Sequence, residues 1–220
     1  MFEVFKKILK TPYYQNYAAQ SGAVHNVSKH EDAIEDCLLG CGFQEDRPVG
    51  IRKNSGAISK NTRDNWIENP SLCDMPLGSY MAQPCGTHNS PDFIVKDVDG
   101  NVYFLECKSV KGGTPMYNSG IPKSKYVYIL TSEKYNETTI YRGEDVLPST
   151  SREMIEAHIA EARRRDKILE ELLRSQDSSH GIVYYTRPMI QHKGGKSMGN
   201  DYFVNDKRSI LENKVLELCR

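Results

Sequence analysis

Asp92, Glu106 and Lys108 are the residues whose types and spacing suggest chemistry. Asp92 opens the run Asp92-Phe93-Ile94-Val95, and Glu106 and Lys108 close the run Val102-Tyr103-Phe104-Leu105-Glu106-Cys107-Lys108. Two neighbouring carboxylates repel each other unless a cation lies between them, and Mg²⁺ accepts such hard oxygens while keeping several of its waters. Without metal, one of the two carboxyl pKa values is expected to rise. The backbone carbonyl of Cys107 offers a further oxygen, and the Lys108 ammonium could hold a water or hydroxide in line with a phosphorus and balance the added negative charge. Together these groups suit a Mg²⁺-assisted hydrolysis of a phosphodiester. The plainer alternative is an ion pair on a half-exposed strand, since Glu-x-Lys alone is common.

The elements that must position these groups can be read from hydrophobic pattern. Val102 to Lys108 is apolar and β-branched enough for a strand, whose alternation sends Val102, Phe104, Glu106 and Lys108 to one face and Tyr103, Leu105 and Cys107 to the other. Phe93 to Val95 predicts a shorter strand, and Asp99-Gly100 is a favoured turn pair, so a hairpin carries Asp92 back toward Glu106. Upstream, Ser28-Lys29-His30-Glu31 has the pattern of a capping box, opening a helix with Ala33, Ile34, Cys37, Leu38 and Cys41 on its buried stripe and Gly42 at its end.

Asp92 and Glu106, separated by thirteen residues, sit in the order Ser-Pro-Asp then Glu-Cys-Lys-Ser. This order resembles the PD-(D/E)xK nuclease superfamily and, within it, a type II restriction endonuclease, over about residues 28 to 132. The resemblance implies an α/β fold with a restriction-endonuclease-like central mixed sheet flanked by helices. It implies Asp92 and Glu106 as metal ligands, joined by the Cys107 carbonyl, and Lys108 as the motif lysine. Glu31, followed by Ile34, Leu38 and Gly42-Phe43, fits the early-helix glutamate of that family, with Glu35 in reserve. Glu31 is also the capping-box acid, and a side chain engaged in a cap cannot reach a metal. The implied activity is Mg²⁺-dependent, site-specific cutting of double-stranded DNA, leaving 5′-phosphate and 3′-hydroxyl ends. The implied partners are duplex DNA, a second copy of the chain in a two-fold dimer, and a cognate DNA methyltransferase.

Two rival readings remain at this point. One is a structure-directed or repair nuclease of the same superfamily, such as a Holliday junction resolvase. The other is a non-catalytic DNA-binding or assembly protein whose hairpin acids form structural ion pairs.

The loop after Lys108 is polar, and Lys111, Tyr117, Asn118 and Lys123 read as groove or backbone contacts to DNA. Gln191, Lys193 and Lys196, in a cationic stretch, are the second choice. Gly194-Gly195-Lys196-Ser197 lacks the spacing of a phosphate-binding loop because Ile190 stands where a glycine is needed, so nothing supports ATP use. Residues 44–85 show little periodicity and carry Arg47, Arg52, Lys53, Lys60 and Arg63, which fits a duplex-wrapping segment or a solvated insertion equally, with Trp66 and Ile67 as tethers. His88 and Asn89 lead into Asp92 as phosphate contacts or plain loop.

Further elements follow from pattern. Phe2 to Leu9 predicts a short packing or dimer helix, and Lys125 to Leu130 the next core strand. Arg152 to about Leu173 predicts a long helix with Ile155, Ile159, Ala162, Leu169 and Leu172 facing inward and Arg163-Arg164-Arg165 solvated. Gly181 to Met189 reads as a strand with Val183-Tyr184-Tyr185 buried or half-buried, and Arg208 to Leu218 as a packing helix.

Composition bounds these readings. The 220 residues suit one elaborated domain, residues 1–220, with recognition insertions. Lys plus Arg and Asp plus Glu are equal at 29 each, so no net positive field announces a nucleic-acid ligand, and cations must be concentrated locally. Six cysteines without a leader peptide suggest reduced thiols and a cytoplasmic setting, and neither a zinc ligand pattern nor a membrane-length apolar run is present.

Overall fold

The computed structural model describes residues 1–16, 29–52, 55–118, 120–176, 181–191 and 201–220. Its centre is a six-stranded mixed sheet of β1 (Gln44–Glu45), β2 (Ser79–Ala82), β3 (Phe93–Lys96), β4 (Val102–Val110), β6 (Tyr126–Ser132) and β7 (Glu137–Arg142), in that spatial order. β1 pairs with β2 in parallel, as β4 does with β6, and the remaining pairs are antiparallel. A separate two-stranded ribbon joins β5 (Met116–Tyr117) to β8 (Ile190–Gln191).

The alternation along β4 divides the core into two layers. Tyr103, Leu105 and Cys107 pack with α1 (Phe2–Leu9) through Phe5 and Ile8, with α2 (His30–Leu39) through Ile34 and Leu38, and with α5 (Arg208–Glu217) through Val215. Phe104 lies on the opposite face with Ile94, Tyr126, Tyr128, Leu130 and Tyr141, beneath Trp66 of α3 (Lys60–Glu68) and Phe203. The predicted hairpin forms with Gly100 at φ +87°, a left-handed position that glycine takes at no steric cost. Asp97, buried at its base, accepts from the backbone N–H groups of Asp99 and Asn101 and from the Tyr103 hydroxyl, which fixes the turn.

Several expectations need correction. The supposedly aperiodic 44–85 stretch contains α3 and β2, and β7 had no place in the sequence reading. α2 stops at Leu39 with Gly40 as its cap, while Gly42, at φ +87°, turns the chain into β1. Its N-terminal cap uses Asp32, whose Oδ2 accepts from Lys29 N–H at 3.1 Å, so Glu31 is not the capping acid. Ser28 lies outside the described residues.

The largest departure is α4 (Ser149–Gln176), none of whose described residues is buried. Ile155, Ile159 and Ala162 are half-buried, whereas Leu169 and Leu172 are exposed. Both faces of the sheet are already covered, so this helix has no apolar layer left to complete. Residues 181–189 form no strand, and Ile182, Val183, Tyr184 and Tyr185 are exposed. The segment runs beside α4, held where Thr186 N and Oγ1 donate to the Asp166 carboxylate at 2.6 and 2.8 Å. No helix among the described residues is long and apolar enough to cross a membrane.

Candidate functional site

The site forms where three strands bring polar residues together. β2 pairs Ala82 with Phe93, and β3 pairs Phe93 with Leu105. Continuing the β2–β3 register by one residue sets Gln83 opposite Asp92, whose carbonyl accepts from Gln83 N–H at 2.7 Å, and Glu106 follows Leu105 on β4, close enough for its charge to act on Asp92. Asp92 N–H donates to Leu105 O at 2.9 Å, so Asp92 and Phe93 share Leu105 as their neighbour on β4 and Asp92 sits where the regular register ends.

Asp92 is held at both carboxylate oxygens. Its Oδ2 accepts from Cys107 N–H at 2.7 Å and its Oδ1 from Gln83 Nε2 at 3.2 Å. One strand over, Lys108 Nζ donates to Glu106 Oε1 at 2.7 Å, as two residues on the same strand face should. The other oxygen, Glu106 Oε2, is buried with no hydrogen-bond partner.

Electrostatics follow from this crowding. Asp92 is raised to about 7, first by burial and then by the Glu106 charge, with the Cys107 N–H opposing, Glu31 adding and Lys108 opposing. One acid of the pair was expected to rise, and burial outranks the repulsion on which that expectation rested. Lys108 stays above its ordinary value although burial works against it, because Glu106 outweighs that cost and Asp92 adds to it. The Cys107 thiol is pushed well up by burial and then by Asp92, Glu31 and Glu106, so it is no nucleophile, and only its backbone is of use here.

Glu31, freed from the cap, is close enough to act on both Asp92 and Cys107. Glu35 is engaged elsewhere: buried, it accepts from the Tyr80 hydroxyl at 3.0 Å.

A buried carboxylate oxygen without a donor, as Glu106 Oε2 is, suits a cation. Among the described residues there is no group of three or more His, Cys, Asp or Glu side chains that could hold a metal ion by themselves. Two carboxylates, a strand carbonyl at Cys107 and retained waters suit Mg²⁺.

Glu106 and Lys108 open onto a cavity of about 50 Å³ that is also lined by Ser90, Asn118, Lys123 and Tyr128. A larger cleft of about 550 Å³ shares Gly120, Ile121 and Lys123 with it and adds Lys125, Arg152 and Arg163, alongside Asp64, Glu68 and Glu156. Arg152 is committed to structure, donating to Pro122 O at 2.6 Å and Gly143 O at 3.0 Å, and so anchors the loop carrying Lys123.

The nucleic-acid contacts expected from sequence divide. Lys111, Asn118 and Lys123 are exposed. Tyr117 is not: it is 3% exposed and its hydroxyl lies 2.9 Å from that of Tyr141, so it belongs to the core. Gln191 pairs through its backbone with Met116 in the small ribbon, and Lys193 and Lys196 lie outside the described residues. His88 is exposed, and Asn89 donates to Cys85 O at 2.8 Å as a loop-holding residue.

Sequence reasoning missed Gln83. No local pattern marks this residue; only the pairing of β2 with β3 does. No family model, curated protein or solved structure matches this chain.

Proposed function

We propose that this protein is a Mg²⁺-dependent deoxyribonuclease of the PD-(D/E)xK type, with a restriction-endonuclease-like sheet, that cuts double-stranded DNA at a specific sequence. The observation that carries the reading is the nearness of Asp92 and Glu106 on adjacent strands, with Lys108 on Glu106 and one Glu106 oxygen buried without a donor.

In this reading Asp92, Glu106 and the Cys107 carbonyl hold the cation. When bound, Mg²⁺ would polarise a phosphoryl oxygen and make a coordinated water more acidic. Cys107 N–H and Gln83 Nε2 fix the Asp92 carboxylate, so it need not reorganise as charge develops. Lys108, kept cationic by Glu106, orients the attacking water and offsets charge building on the phosphate. Lys123 and Arg163 line the adjoining cleft and would contact the DNA backbone there. Such contacts position the duplex without reading its sequence, so base recognition falls to other groups, with Lys111 and Asn118 as candidates.

The proposal includes a two-fold dimer formed through α4. The first half of this helix carries Glu153, Glu156 and Glu161 against Arg152, while its second half carries five Arg or Lys against three acids. An antiparallel copy would match acidic half to basic half and cover Leu169 and Leu172.

Incubating purified protein with genomic DNA and Mg²⁺, then sequencing the fragment ends, tests the function. One end motif is expected, and Asp92→Asn or Lys108→Ala should slow cutting about 10²–10³-fold or more with the fold retained. Intact DNA after treatment with wild-type protein in Mg²⁺ and in Mn²⁺ would sink the proposal. Preference for branched over linear duplex would instead indicate a structure-directed nuclease.

A further inference from the structure

Gln83 has features that a structural role does not account for. It follows β2 in the left-handed region at φ +47°, uncommon for a residue with a side chain. Its backbone N–H donates to Asp92 O at 2.7 Å, fixing it beside that residue, and only 8% of its surface is exposed. Its Nε2 donates to Asp92 Oδ1, yet its Oε1 is buried with no partner at all.

Leaving a buried oxygen without a donor costs about 1–3 kcal/mol. Among the described residues four buried side-chain nitrogen or oxygen atoms lack a partner, and two of them belong to residues that act on Asp92: Gln83 Oε1, whose amide also donates to Asp92, and Glu106 Oε2, whose charge bears on it. Two unsatisfied acceptors on residues next to one carboxylate lack the same thing: a positive or donating group. A cation supplies it. An amide oxygen is a hard donor and adds no charge to a site that already holds Asp92, Glu106 and the nearby Glu31.

We propose that Gln83 Oε1 is a further oxygen ligand, direct or through one water, to the divalent cation held by Asp92 and Glu106. The inference rests on the metal-dependent reading above and adds to it a neutral third side chain, supplied by the strand on the far side of Asp92.

The test is direct binding of Mn²⁺ to the full chain by titration calorimetry, without DNA and without turnover. Wild type should bind, and Asp92→Ala should abolish the signal. Gln83→Met, unbranched and of similar length, should weaken binding about tenfold or more, as loss of metal-site groups commonly does. Gln83→Glu should restore it, since it keeps an oxygen at the same reach. If Gln83→Met does not fold, Gln83→Asn, a residue type that tolerates left-handed backbone but has a shorter side chain, takes its place with the same expected loss.

Three results overturn the inference, and they are distinguishable. Wild-type-like binding by Gln83→Met, with Asp92→Ala silent, removes Gln83 from the site but leaves the metal reading standing. Weak binding by both the Met and the Glu variants would mean that Gln83 acts only by donating Nε2–H to Asp92. Absence of binding by wild type at millimolar Mn²⁺ would remove the parent reading as well.

Discussion

The end of the β3–β4 hairpin and the long helix α4 answer the same hydrophobic logic in opposite ways. Beside Glu106 the apolar residues Phe93, Ile94, Phe104 and Leu105 are buried, both Asp92 carboxylate oxygens accept a hydrogen bond, and Glu106 has one oxygen paired and one without a partner. Along α4 an amphipathic stripe of comparable clarity buries nothing fully. The difference is supply: β4 has layers on both faces, whereas α4 arrives at a sheet already covered. An apolar stripe in sequence announces that a surface wants cover; it does not say what covers it.

The largest effect that would sharpen this contrast is on metal binding at the hairpin. Asp92 is raised to about 7 in the folded, metal-free protein, against about 4 in an unfolded chain. The folded state therefore holds a proton that the unfolded state releases between those values. Metal-free stability should fall as pH rises from about 4 to about 7, by on the order of a few kcal/mol, and level off above. A cation needs the carboxylate, so Mn²⁺ affinity should weaken about tenfold per pH unit as pH drops below about 7 and be flat above it. Calorimetric titrations at about pH 5.5, 6.5 and 8, two below and one above the Asp92 value of about 7, check this. Flat affinity across that range would mean that Asp92 is not the ligand that titrates.

Core and helix should also separate in stability. Leu105 is fully buried, and Leu105→Ala should cost about 2–5 kcal/mol in denaturant unfolding. Leu172 is 56% exposed, and Leu172→Ala in the isolated chain should stay within about 0.5 kcal/mol. A loss above about 2 kcal/mol at Leu172 that grows with protein concentration is what the proposed α4 dimer predicts, and its absence at every concentration would remove that dimer.

How far the sequence could be read follows the same division. Strand alternation from Val102 to Lys108 and the Asp99-Gly100 turn were legible because the period-2 pattern and the turn type are local properties, and they sufficed to bring Asp92 to Glu106. Gln83 was not legible, because its role comes from pairing β2 with β3 across residues that carry no shared pattern. Glu31 was ambiguous in sequence because it fitted both the capping acid and the active-site acid; Asp32, one residue on, closes the cap instead. Tyr117 looked like a loop contact by composition, but the tyrosines it meets, Tyr128 and Tyr141, come from strands that only the sheet order brings beneath it.

That relocation of Tyr117 has its own test, with a smaller effect. Tyr117→Phe removes a buried hydroxyl bonded to those of Tyr141 and Tyr202 and should cost about 1 kcal/mol of stability or more, leaving DNA affinity unchanged. Weakened DNA binding without loss of stability would return Tyr117 to the recognition surface.

The smallest effect belongs to the segment beside α4. Asp166 accepts from both Thr186 N–H and Thr186 Oγ1–H, and both residues lie toward the surface. Asp166→Ala should change global stability by no more than about 0.5 kcal/mol. It should still speed amide hydrogen exchange across residues 182–189, because an exposed segment with few buried contacts opens locally rather than with the whole fold. Exchange there that tracks global unfolding in both proteins would mean that Ile182 to Tyr185 are packed against something, and the contrast between α4 and the hairpin would then be one of assembly state rather than of fold.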